Sequence, residues 1–166
     1  MACEQAPQKR LLAGVPRAST ILEVGCGTGH FTRWFGEQGV QAMGLDLSLP
    51  MLAEAGRLGS PFFMLGNALA LPFSSGVFDL IALITTLEFV LDPNQALAEG
   101  LRVAQQGLIL GVLNRQSLLA WRLKREGGPV WEAARLFTPA ELSRRMQRAA
   151  AGRPVRIVWR TTLWPV

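Results

Sequence analysis

Residues 23–29, Glu23-Val24-Gly25-Cys26-Gly27-Thr28-Gly29, set a carboxylate beside three glycines on alternate positions. The apolar pair Ile21-Leu22 precedes them, and Phe31, Trp34 and Phe35 follow at helical spacing. That pattern predicts a strand over 20–24, a tight turn, and a helix from about Gly29 to Gln38. Glycine admits positive φ and lets a ligand approach the main chain with no Cβ between them, while a helix start offers unpaired N–H groups. The chemistry such a turn supports is the holding of a nucleotide-like ligand against Gly25, Cys26, Gly27 and Gly29. The alternative is a glycine-rich turn with no ligand.

Which ligand depends on the neighbours. A dinucleotide fingerprint spaces its glycines G-x-G-x-x-G/A and sets a pyrophosphate on the helix N-terminus. Here the third glycine comes one residue early and His30 holds the last position. Glu23, expected at the mouth of the turn, repels a pyrophosphate and attracts a cation. S-adenosylmethionine carries an ammonium and a sulfonium and has no phosphate, so it is the expected cofactor. A second anchor lies about twenty residues beyond the first glycine, the separation a βαβ unit gives to a ribose-binding acid. The run Gln41 to Asp46 reads as the next strand, with Asp46 at its end to chelate the ribose hydroxyls. Its other reading is the N-cap of a helix starting near Leu49-Pro50, for which Ser48 is closer and the better cap.

With these residues in view the chain resembles class I S-adenosylmethionine-dependent methyltransferases, of the sort that includes the ubiquinone and menaquinone biosynthesis C-methyltransferases. The resemblance covers residues 20–114. It rests on Leu22-Glu23-Val24-Gly25-Cys26-Gly27-Thr28-Gly29, Gly44-Leu45-Asp46-Leu47-Ser48, Gly66-Asn67-Ala68 with Leu71-Pro72-Phe73, Phe78-Asp79-Leu80-Ile81, and Leu87-Glu88-Phe89-Val90-Leu91-Asp92-Pro93. It implies an α/β fold: a Rossmann-like, doubly wound, mostly parallel sheet with helices on both faces. It implies that Leu47 lines the cofactor beside Asp46, and that Asn67 and Ala68 lie against the adenine, where the family often has Asp. Asn also accepts through its carbonyl; its other reading is a turn residue. Thr85 and Thr86 then border the methionine end and the methyl group, with Thr86, Glu88 and Phe89 on the acceptor side. The Asn/Asp-Pro-Pro-aromatic motif of amino-group methyltransferases is absent from 85–89, which favours a carbon or oxygen acceptor over a nucleobase amine.

The rest of the chain is read around that core. Its 166 residues, 49% apolar, suit one domain: an N-terminal helix within 1–18, a cofactor-binding core over 19–114, and a variable acceptor-side region over 115–166. Further helices are expected over 51–58, 93–103 behind an Asp92-Pro93 cap, 117–126 with Trp121, and 138–150 behind a Thr138/Glu141 capping box. The continuous apolar run 61–65 suits a parallel strand covered on both faces; 77–84, with a structural Asp79, and 107–113 are the fourth and fifth strands. Val155 to Thr162 alternates like a sixth. The family sheet has seven strands, so either the chain is truncated, the favoured reading, or 155–162 pairs beside the fifth. Acceptor recognition is expected from Thr85 to Phe89 and over 114–137, with Trp121 and Trp131 as lid or core residues.

Cys3 and Cys26 make no disulfide framework, no apolar run reaches the roughly 18 residues of a membrane span, and the first eighteen residues lack a signal-peptide core, so a cytoplasmic protein is expected. Two cysteines and the lone histidine at these spacings make no zinc site. His30 as general base for an oxygen acceptor conflicts with its place on the first turn of the cofactor helix. Charge is uneven: residues 1–101 hold five basic groups against nine acids, a net −4, and residues 102–166 hold twelve against three, +9. The basic half suggests an RNA methyltransferase as an alternative to a small-molecule enzyme, although Arg144, Arg145 and Arg148 also read as a solvated helix face. A third reading is a non-catalytic cofactor-binding or scaffold protein.

Overall fold

The computed structural model describes residues 18–59 and 62–159. Five parallel strands form one sheet in the order β3-β2-β1-β4-β5: β1 Thr20–Val24, β2 Gln41–Asp46, β3 Phe62–Leu65, β4 Phe78–Ile84 and β5 Ala104–Gly111. Six helices accompany them among the described residues: α1 His30–Glu37, α2 Leu49–Arg57, α3 Pro93–Val103, α4 Leu118–Glu126, α5 Pro129–Ala133 and α6 Pro139–Ala149. This is the expected doubly wound α/β architecture. The strand order reverses between β1 and β4, and open α/β sheets bind ligands in the crevice at the C-terminal ends of such a pair.

Alternation along β1 sorts its side chains to the two faces. Ile21 packs with Trp34 and Phe35 of α1 and with Leu80, Ala82 and Ile109. Leu22 and Val24 face the opposite layer, with Ile81, Leu83, Leu97 and Val103, closed by Leu142 of α6. β1 is therefore fixed from both sides, and its register with β2, Glu23 opposite Gly44 and Val24 opposite Leu45, carries the glycine turn to the end of β2.

The helix starts follow the sequence signals. Ser48 caps α2 by accepting from Met51 N–H, Asp92 caps α3 by accepting from Asn94 and Gln95 N–H, and Thr138 and Glu141 form the capping box of α6. Asp79 is structural: its Oδ2 accepts from Ser19 and Thr20 N–H at 2.7 and 3.0 Å, tying the start of β1 to β4.

Three expectations need correction. β3 is not covered on both faces, because the strand order puts it at the sheet edge; Phe62 is 70% exposed and only Phe63 turns inward. β5 starts three residues earlier than expected and ends at Gly111 rather than Leu113, since Ala104 already pairs with Phe78 across an irregular register. Residues 155–159 form no strand, while 160–162 of that expected strand and the helix expected within 1–18 fall largely outside the described residues.

Leu97, buried between α3 and the sheet, provides a test of this core. Leu97→Ala should lower stability by about 2–5 kcal/mol in urea unfolding. Leu91→Ala, at an 88% exposed position, should stay within about 0.5 kcal/mol of the parent.

Candidate functional site

The glycine turn is held to the end of β2 by its own backbone. Gly25 and Cys26 N–H both donate to Leu45 O, at 2.7 and 3.1 Å, and Gly27 N–H donates to Asp46 Oδ2 at 2.7 Å. Gly25 sits at φ 74, and a Cβ there would collide with the Thr86 side chain. Gly27, at φ 54, is the opposite case: among the described residues a Cβ would meet nothing within 4 Å, leaving this main chain open to the approach of a ligand. Gly29 N–H donates to Cys26 O at 2.8 Å and caps α1, with the Phe63 ring packed where its Cβ would lie.

Asp46 is oriented by two backbone donors, Gly27 N–H on Oδ2 and Ser48 N–H on Oδ1 at 2.8 Å. Each carboxylate oxygen has two lone pairs, so acceptor capacity remains on both for hydroxyl groups. Ser48, not Asp46, takes the capping role. Leu47, beside it, is largely bare.

Glu23 is placed beneath the turn rather than at its mouth. It lies on the α1 side of β1, 2% exposed, and accepts a hydrogen bond from the Thr32 hydroxyl. Burial pushes its pKa up to about 7, against the opposing effect of Thr32. The Cys26 thiol is buried too, and burial pushes it up to about 12, so it packs as a small neutral group.

At the end of β4 the chain turns sharply. Thr85 has φ 53, an outlier for a β-branched residue, held by donation of its N–H to Gly111 O at 2.7 Å. Thr86 is buried; its hydroxyl donates to Val24 O at 2.8 Å against Gly25, so it cross-ties the turn to β4 and does not line an open acceptor pocket. Glu88 is likewise 1% exposed, not on a pocket wall. Its Oε1 accepts from Leu113 N–H at 2.8 Å and its carbonyl from Arg135 N–H at 2.8 Å, which joins the β4 exit, the β5 exit and the 134–137 segment. Oε2 has no partner among the described residues, and burial raises the pKa. Phe89 remains accessible, its ring 6.3 Å from that of Trp131.

Asn67 closes a turn, its Oδ1 accepting from Leu69 N–H at 2.9 Å, and Ala68 packs beside it against the core. Trp121 is 60% exposed and lines a shallow depression of about 400 Å³ with Arg115, Gln116, Ser117 and Leu118, whereas Trp131 packs against the small Ala120, Ala134 and Leu136 cluster. That depression lies past Asn114 and not over the glycine turn. His30 is exposed, edge-on to Phe31. Among the described residues no three His, Cys, Asp or Glu side chains are grouped to hold a metal. Sequence reasoning missed Thr32, Phe63 and Arg33, whose Nη1 donates to Thr28 O at 2.9 Å. The unusual Gly44, whose Cβ would stand 2.8 Å from Cys26 Sγ and press on Phe63, was the available signal that something packs there.

A family model described as methyltransferase domain matches residues 22–111, from the middle of β1 to the last residue of β5. The chain belongs to that methyltransferase family. Malonyl-[acyl-carrier protein] O-methyltransferase of Salmonella typhimurium is 38% identical over 98 residues, 58% of this chain and 39% of that one. Demethylmenaquinone methyltransferase of Renibacterium salmoninarum is 36% identical over 96 residues, 57% of this chain and 40% of that one. The methyltransferase chain thus spans about two fifths of the length of these curated relatives. A Thermotoga maritima crystal structure, described as an SAM-dependent methyltransferase and possible histamine N-methyltransferase, superposes with a TM-score of 0.72 at 30% identity, covering 86% of this chain and 67% of that one. The [4+2]-cyclase SpnF superposes at 0.70 with 23% identity, over 90% of this chain and 57% of that one, a likeness of fold alone.

The Glu23 carboxyl, at 4.5 when unperturbed and about 7 in the folded methyltransferase domain, binds its proton more tightly in the native state. Its burial therefore lowers stability as pH rises from 4.5 to 7, by about 3 kcal/mol in all. Glu23→Gln should lack this loss, so its stability relative to the parent should climb across the window in urea titrations at stepped pH. A constant difference would contradict the buried, proton-binding Glu23.

Proposed function

We propose that this domain binds S-adenosyl-L-methionine and transfers its methyl group to a small-molecule acceptor at carbon or oxygen, in the cytoplasm. The observation that carries the reading is the lock between Asp46 and Gly27: the carboxylate aimed at a ribose is held by the same N–H that shapes the open glycine turn. The residues fit the cofactor. The turn is uncrowded at Gly27, Asp46 keeps free acceptor capacity, Leu47 offers an apolar surface, and the Asp46 carboxylate stands where a pyrophosphate would need a cation.

When bound, the cofactor supplies an electrophilic methyl on its sulfonium. The chain's part is orientation and exclusion of water. Asp46 takes the ribose hydroxyls, with Gly25, Cys26, Gly27 and Gly29 as the surface beneath. Glu23, under the turn, adds negative potential toward the amino-acid end once a cationic ligand favours its ionised form. Asn67 and Ala68 face the base, and Thr85, in its strained conformation, stands at the methyl end. Phe89 borders the acceptor. No residue is assigned as a general base, which suits an acceptor that is already nucleophilic. Relatives named for malonyl-[acyl-carrier protein] and demethylmenaquinone support oxygen and small-molecule acceptors. Among the described residues no helix is long and apolar enough to cross a membrane. The RNA reading rests on the basic half, where Arg115, Arg122 and Arg102 are each paired with a glutamate and Arg145 with Asn94.

Thermal unfolding tests the proposal. S-adenosylhomocysteine at about a hundredfold its Kd should add about 2.7 kcal/mol, a rise in Tm of roughly 5 to 10 °C for a domain of this size. NADH should give none. Protection by NADH without protection by S-adenosylhomocysteine would overturn the assignment.

A further inference from the structure

Residues 66–77, between β3 and β4, carry Asn67 and Ala68 and contain no helix or strand. The turn closes on itself, Ala70 N–H donating to Asn67 O at 3.1 Å, and its position on the sheet is held from outside. At one end Gly66 N–H donates to Asp46 O at 2.9 Å, joining the loop to the ribose anchor. At the other, Gln95, Glu99 and Arg102 reach it from α3, spaced i, i+4 and i+7 and so on one helix face.

Gln95 Nε2 donates to Leu69 O at 3.2 Å, and Leu71 N–H donates to Glu99 Oε2 at 2.7 Å. The Arg102 guanidinium donates to Leu71 O at 3.0 Å and Phe73 O at 2.7 Å while bridging both Glu99 oxygens at 2.7 Å. A planar fork of five donors can serve two carbonyls and a carboxylate together; a lysine ammonium cannot. The clamp is not what docks α3, whose buried Ala96, Leu97, Gly100 and Val103 face the core. What it fixes is the loop. Inside that loop Asn67 Oδ1 is committed to Leu69 N–H, and Leu69 is in turn held through its carbonyl by Gln95, so the Asn67 side chain is tied to the point where α3 holds the loop.

We propose that Glu99 and Arg102, assisted by Gln95, are positioning residues for the nucleobase end of the site. They touch no ligand themselves, and they set the edge that Asn67 and Ala68 present to the base. This inference rests on the cofactor reading above.

Calorimetric titration with S-adenosylhomocysteine and S-inosylhomocysteine, which differ only in the base, tests it. The parent, Arg102→Met, Gln95→Ala and a control at an exposed arginine, Arg122→Met, are compared at a temperature where circular dichroism shows each folded. Arg102→Met should weaken S-adenosylhomocysteine binding about tenfold and Gln95→Ala about threefold. In both, the ratio of the two ligands' Kd values should move toward one, and the control should match the parent. If Arg102→Met does not fold, Gln95→Ala, which removes one exposed loop bond, decides the question. A clamp that serves only the fold would lower Tm and leave both Kd values and their ratio unchanged, and that result overturns the proposal. A parent that binds neither ligand overturns the cofactor reading, and this inference with it.

Discussion

The hydrogen bond from Gly27 N–H to the Asp46 carboxylate closes the glycine turn onto the end of β2, and the rest of the site depends on it. With Gly25 and Cys26 N–H on Leu45 O, three successive features of the turn are tied to two residues of the neighbouring strand. Such closure needs β1 and β2 in the observed register, because a slip of one residue would send every side chain of β1 to the opposite face. The apolar layers prevent that slip: Ile21 belongs under Trp34 and Phe35, and Leu22 and Val24 under α3 and α6. A bond from a charged acceptor contributes about 1.5–3 kcal/mol, enough to hold a loop in place on a sheet that packing has already aligned.

Among the described residues two carboxyls are buried. Glu23 sits below the turn with Thr32 as its partner, and Glu88 joins the exits of β4 and β5 with one oxygen unpartnered among the described residues. Both have raised pKa values, because removal from water disfavours the charged form. Asp79 and Glu99, by contrast, are held below the ordinary range by the N–H and guanidinium groups around them. Asp79 and Glu99, well supplied with donors, thus brace strands and loops, whereas Glu23 and Glu88, short of donors, lie buried, and a cationic ligand above the glycine turn would favour the ionised form of Glu23.

Much of this was legible in the sequence because its signals are local. The alternating glycines, the acid at the end of β2, the Ser48, Asp92 and Thr138 caps and the α1 apolar stripe each act within a few residues of themselves, and each stands where expected. The failures are non-local. An apolar run such as 62–65 reads the same whether it is central or at an edge, and only strand order decides. Thr86 looked like a pocket residue until its hydroxyl met Val24 O, 62 positions away. Glu23 and Glu88 gave no sign of burial, since a carboxylate's surroundings are set by whichever elements pack over it. Asn67 had its turn role foreseen as an alternative, but the clamp that orients that turn spans some thirty residues and has no local signature.

In the proposed function Asp46 anchors ribose hydroxyls as well as the turn. The most direct measurement is calorimetric titration of S-adenosylhomocysteine and its 2′-deoxy analogue into the parent and Asp46→Ala. Loss of the turn lock should weaken both ligands alike, whereas loss of the anchor should fall on the ligand that still has its hydroxyl. Asp46→Ala should stay folded, bind S-adenosylhomocysteine about ten- to a hundredfold more weakly, and lose most of the parent's preference for it over the deoxy analogue. An equal loss for both ligands, or none for either, would contradict a ribose contact at Asp46.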